Sequence, residues 1–149
     1  MDKTYNQDVE LSLKLLVVLN RALEAVKNQV VKDIKNYNLN LTEFAVLELL
    51  YHKGDQPIQK IGDKVLLASS SITYVVDKLE KKDLIERKPC ATDRRITYAA
   101  LTEKGKVFMD EIFPKHATSL QKIFAGLETE EKAAVINQLK KLGYYAEGL

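Results

Sequence analysis

At 149 residues the chain is about one domain long, and 46% hydrophobic with 30% charged residues describes a helix-rich globular protein, not a disordered one. Its apolar stretches, such as 15–19, are broken by charge far short of the roughly 20 residues that span a bilayer. Met1, Asp2 and Lys3 lead into polar sequence with no apolar segment and cleavage site behind them, so a cytoplasmic protein without membrane contact is expected.

The single cysteine, Cys90, has no partner for an internal disulfide, and His52 and His116 lie far apart, so no zinc-ligand spacing arises. Phosphate-cradling glycine motifs and nucleophile turns are absent. Neither a metal, a cofactor nor an enzyme is expected. The net charge of +2 is small, but residues 57–106 hold 11 basic against 7 acidic residues, leaving 12 against 14 elsewhere. That concentration suits either a solvated lysine-rich face or a nucleic-acid partner.

From Val9 to about Tyr37 the apolar positions Leu13, Leu16, Val17, Leu23, Val26, Val30 and Ile34 recur mostly at three and four, the period of an amphipathic helix. Asn36, Asn38 and Asn40 crowd a turn, and Thr42 is placed to cap a second helix carrying Phe44, Val46, Leu47 and Leu50, closed by Gly54. Pro57 suits the first turn of a third helix with Ile58, Ile61 and Val65 inward. Ser69, Ser70 and Ser71 open a fourth helix whose apolar side is Ile72, Val75, Val76 and Leu79. Two short helices around a tight corner, with Gly62 giving the room for it, is helix-turn-helix grammar.

The stretches 84–88 and 96–101 are β-prone and flank a polar loop, so they predict a two-stranded hairpin, a wing. Thr102 caps a fifth helix through Val107, Phe108, Ile112 and Phe113, kinked at Pro114 and ended by Gly126. Glu128, Glu130 and Glu131 favour the start of a last helix with a Val135, Ile136, Leu139 and Leu142 stripe. The expected fold is mainly α with a small two-stranded β-wing.

Three segments carry a resemblance: LTEFAVLELL at 41–50, SITYVVDKLEKKDLIER at 71–87, and DRR at 93–95 followed by LTEKG at 101–105. Over nearly the whole chain the sequence resembles the MarR family of bacterial regulators. The resemblance implies one unit over 1–149: a winged helix-turn-helix at 38–101, and dimerisation helices at 5–37 and 102–147. It further implies a homodimer that binds palindromic double-stranded DNA, most often as a repressor, and is released by a small-molecule effector or an oxidant. A palindrome needs two-fold protein symmetry, and the long amphipathic ends supply an apolar surface for it.

Three positions depart from the family pattern. Asp83 stands where glycine usually ends the recognition helix, so aspartate makes the left-handed cap. Tyr74 replaces a position that is commonly Arg or another polar residue, and Ala68 aligns with the family's helix-opening serine, which moves the expected cap to Ser69.

Off the apolar stripe of the fourth helix, Ser69, Ser70, Ser71, Thr73 and Tyr74 are available to a major groove, and Lys78 to phosphate; the alternative is an ordinary solvated face. In the wing, Asp93 and Arg95 match the family's D-x-R pattern, in which the arginine reaches the minor groove and the aspartate steadies a basic neighbour. Arg94 and Lys88 then face phosphate or groove. Cys90, its pKa modestly lowered by Lys88, reads as an incidental thiol and not a redox sensor. The competing function is a winged-helix module for protein–protein contact without DNA.

Overall fold

The computed structural model describes residues 4–65 and 69–149, with the side chains of Ser69 and Ser70 outside that description. Helix α1 spans Gln7–Lys35, capped by the Asn6 side chain accepting from the Val9 N–H at 2.9 Å. Only Asp33 and Ile34 at its far end are buried. Val30 packs against the core beside them, while Leu13, Leu16, Val17 and Leu23 of the apolar stripe stay exposed in the protomer.

Helix α2 spans Leu41–Lys53, and its cap is Asn40, not the expected Thr42. The Asn40 carboxamide accepts from Glu43 N, and the Asn40 N–H donates to Glu43 Oε1, a reciprocal capping box. Asn38 bends the preceding turn with φ 58, and Gly54 ends the helix with φ 78.

The chain then forms β1 (Gln56–Pro57), which the sequence reading did not contain. It pairs antiparallel with β3 (Thr97–Leu101), Gln56 opposite Ala99 and Pro57 opposite Tyr98, while β2 (Ile85–Pro89) pairs along the other side of β3. The sheet therefore has three strands in the order β1-β3-β2, where two were expected. Two residues carry no alternation, so periodicity is blind to β1. Pro57, lacking an N–H, is tolerated on this edge and precedes α3 (Ile58–Val65) instead of lying inside it.

Helix α4 covers Ser69–Lys81, α5 Glu103–Ile123 and α6 Thr129–Glu147. Helix α5 continues through Pro114 and closes at Phe124, two residues before the expected Gly126. Helix α6 begins as expected, with the Glu128 N–H donating to Glu131 Oε1 at 2.9 Å, and runs to Glu147. One core gathers Ile34, Val46, Leu47, Ile61, Val76, Leu79, Ile85 and Met109, each essentially without solvent exposure. It joins α2, α3, α4 and the sheet to one end of α1 and the first half of α5.

Candidate nucleic-acid interface

Burial of Ile72, Val75, Val76 and Leu79 fixes the rotation of α4, as the stripe requires. Ser71, Thr73 and Tyr74 consequently face solvent, Tyr74 with 67% of its surface exposed. Helix α4 is described from Ser69 onward, and the cap expected at Ser69 depends on residues 66–68 and on the Ser69 side chain, which lie outside the described residues.

The helix ends in a Schellman turn: Asp83 N–H donates to Glu80 O and Leu84 N–H to Leu79 O, with Asp83 left-handed at φ 62. Aspartate thus makes the turn that glycine more often makes. Lys78, expected to face phosphate, has Nζ 3.7 Å from Glu43 Oε1 and is 41% exposed. Lys82 Nζ lies 2.9 Å from Glu43 Oε2 and donates to Asn38 O as well. Burial alone would raise the Glu43 carboxyl, but Lys82, the Asn40 N–H and Lys78 together hold it below the usual carboxylate range.

In the wing the Asp93 carboxylate accepts from Arg95 N at 3.0 Å, from Nε at 3.2 Å and from Nη2 at 3.2 Å. These bonds hold Asp93 below the usual range and order the turn, while the Arg95 side chain stays 90% exposed. The basic neighbour that Asp93 steadies is Arg95 itself. Gln59 Nε2 on α3 donates to Arg95 O at 3.4 Å, tying the loop to the helix-turn-helix. Arg94 is exposed beside it, and Lys88 lies 3.6 Å from Glu86 and 3.9 Å from Asp55, all three at the surface. The Cys90 thiol is lowered first by the Thr92 hydroxyl, with the Thr92 and Asp93 backbone assisting; Lys88 is not a cause, contrary to expectation.

The motif LTEKG has a mechanical reading. Thr102 Oγ1 accepts from Gly105 N at 2.9 Å, capping α5, and donates to Asp83 O at 2.6 Å, while Thr102 N–H donates to Leu84 O at 3.1 Å. The start of α5 is thereby bonded to the end of the recognition helix. Gly105 permits the approach, because a Cβ there would lie 2.0 Å from Leu84 O.

At the other end of this unit, His116 Nδ1 lies 2.8 Å from Asp33 Oδ2, and both side chains are buried. Tyr37 Oη donates to Asp33 Oδ1 at 3.1 Å; burial and that carboxylate push the phenol up to about 12. Phe44 packs on the His116 ring at 4.4 Å, and Tyr51 Oη donates to Asp110 at 2.6 Å. Nothing in the sequence pattern marks His116, Asp33, Glu43 or Arg87 for these roles. No local pattern marks a carboxylate whose partner lies 83 residues away.

A helix-turn-helix with an exposed fourth-helix face beside an arginine-tipped β-hairpin defines a winged-helix transcriptional regulator. The MarR family model matches residues 39–97. The chain is 54% identical over 138 residues to the HTH-type transcriptional regulator MhqR of Bacillus subtilis, covering 93% of this chain and 95% of that protein. This protein belongs to the MarR family, and so to regulators that bind DNA, not to enzymes. Among solved structures, the MarR family regulator AbsC from Streptomyces coelicolor superposes with a TM-score of 0.80 at 20% identity, covering 99% of this chain and all of that one. Sco3205, a MarR family regulator from the same organism solved in complex with DNA, gives 0.79 at 16% identity, over 99% and 92% of the two chains. No helix among the described residues is long and apolar enough to cross a membrane.

Proposed function

We propose that this protein is a homodimeric repressor of a palindromic operator. In this reading the face of α4 carrying Ser69, Ser70, Ser71, Thr73 and Tyr74 enters the major groove, Arg95 reaches the minor groove, and Arg94, Lys88 and Lys78 serve the phosphates. The observation that carries it is the pairing of an outward, largely uncharged helix face with a wing arginine that is both oriented and exposed. Lys78 is the weakest member, because Glu43 competes for its charge.

Dimerisation is supported by what the protomer leaves uncovered. Leu11, Leu13, Leu15, Leu16, Val17 and Val18 on α1 are exposed, and α6 buries no residue at all. Between α5 and α6 runs an apolar groove of about 490 Å³ lined by Leu120, Phe124, Leu127, Val135, Ile136 and Leu139. Apolar surface of that extent is removed from water by a second copy. A small molecule or an oxidant bound by such a dimer releases DNA by favouring a spacing of the two α4 helices that no longer fits successive grooves.

Fluorescence anisotropy tests this on two duplexes, one recovered by in-vitro selection from random sequence and one scrambled, at several salt concentrations. The wild type binds the selected duplex as a dimer; Arg95→Ala weakens both duplexes and flattens the salt slope by about one ion. Substitution of Ser71, Thr73 or Tyr74 changes the preferred half-site and leaves the slope. Salt-independent binding, or selection that enriches no sequence, would favour a protein–protein module instead. A folded monomer after removal of residues 1–36 would refute the dimer.

A further inference from the structure

Strand β2 leaves the turn at 82–84 with Ile85 buried and Glu86 and Lys88 outward. Arg87 follows Ile85 on the inner side and is half-buried, and its guanidinium meets α4. Nη2 lies 2.5 Å from Asp77 Oδ1 and Nη1 lies 2.7 Å from Glu80 Oε1. Asp77 and Glu80 are three residues apart, so they share one flank of the helix. A planar fork with fixed donor directions holds two such carboxylates at a set spacing, which an ammonium on a flexible stem does not.

A second observation bears on the same place. Arg87 borders an open cleft of about 400 Å³ between helix and wing, lined also by Ile58, Gln59, Ile72, Thr73 and Thr97. The core that Ile85 shares with Val76 and Leu79 holds the start of the strand against the helix; beside the open cleft, where packing is incomplete, the ionic fork is the further link that sets their distance. It also keeps two carboxylates on the recognition helix paired instead of facing a polyanion.

We infer that Arg87 is a positioning residue: it sets the spacing of recognition helix and wing across this cleft so that both engage one duplex together. The inference rests on the DNA-binding reading above. Arg87 itself touches no DNA in this scheme, since its charge is already shared by two carboxylates.

The test uses the full-length protein with the selected and scrambled duplexes. Arg87→Gln and Arg87→Lys both lose on the order of tenfold in affinity for the selected duplex, while the scrambled duplex and the salt slope change little. Within Arg87→Gln, adding Arg95→Ala costs much less than it does in the wild type, because the wing is already displaced. The double variant Asp77→Asn, Glu80→Gln approaches from the other side: despite its added positive charge, its ratio of selected to scrambled affinity falls. Three results overturn the inference. Arg87→Lys binding like wild type while Arg87→Gln sheds about one ion of slope makes Arg87 a phosphate contact. Strict additivity of the Arg87 and Arg95 variants makes the wing independent of it. An unchanged affinity ratio in the double variant makes the carboxylates mere repulsion. A wild type that enriches no sequence overturns the DNA reading and the inference together; a wild type that binds with additive variants overturns the inference alone.

Discussion

Gly105→Ala sets two effects of opposite sign against each other. Replacing a glycine inside a helix by alanine ordinarily gains about 1 kcal/mol. Here the new Cβ would stand 2.0 Å from Leu84 O, 3.0 Å from Leu84 C and 3.3 Å from Leu101 Cδ2. The closest clash is with backbone, which cannot rotate away as a side chain does. Restoring a carbon–oxygen contact of about 3.3 Å needs a separation of about 1.3 Å between α5 and the turn after α4. That movement lengthens both bonds by which Thr102 holds this turn, to Asp83 O and Leu84 O. Two lost bonds at about 1 kcal/mol each, with about 2 kcal/mol of overpacking and set against the propensity gain, leave a net loss of about 3 kcal/mol. For a chain of this length that is about 10 °C in Tm. Urea and thermal denaturation read it, and affinity for the selected duplex falls as well, because the shifted turn joins recognition helix to wing. Gly126→Ala is the control: it is exposed, has no positive φ, and its Cβ would meet nothing within 4 Å. It gains about 0.5 kcal/mol through the unfolded chain. A Gly105→Ala protein as stable as the wild type would refute the proposed contact.

His116→Ala leaves the buried Asp33 carboxylate with only Tyr37 as donor, and loss of one member of a buried pair costs about 3 kcal/mol in urea denaturation; a loss below about 1 kcal/mol would contradict the buried network. Glu43, whose carboxyl is depressed in the folded state, contributes stability that is complete above its unfolded pKa of about 4.3 and disappears as pH falls through the lower folded value. The stability difference between wild type and Glu43→Gln therefore narrows on acidification from pH 7, and a gap that stays constant down to about pH 3 would show the carboxylate to be unlinked to folding. Cys90→Ser binds and releases DNA like the wild type, since the half-buried thiol has no second cysteine in the chain to resolve it. Peroxide that releases only the wild type would make Cys90 a sensor after all.

Much of this protein was legible from local chemistry. The stripe Ile72, Val75, Val76 and Leu79 fixed which face of the fourth helix turns outward, because burial of one side of a 3.6-residue period leaves no choice for the other. Thr102 as a cap was equally readable, and the left-handed turn at Asp83 followed from the family resemblance; each depends on atoms within five residues in sequence. Tertiary structure decided whatever depends on register and approach. The edge strand Gln56–Pro57 exists only because β3 offers it open backbone groups, and Lys78 turns toward Glu43 only because the start of α2 packs against the end of α4. The Arg87 fork with Asp77 and Glu80 required knowing how a strand lies on a helix, and the Asp33–His116 pair required two helices to cross at one point. Short-range hydrogen bonding and periodicity are properties of the chain itself; the partner of a charged side chain is a property of where other segments come to rest.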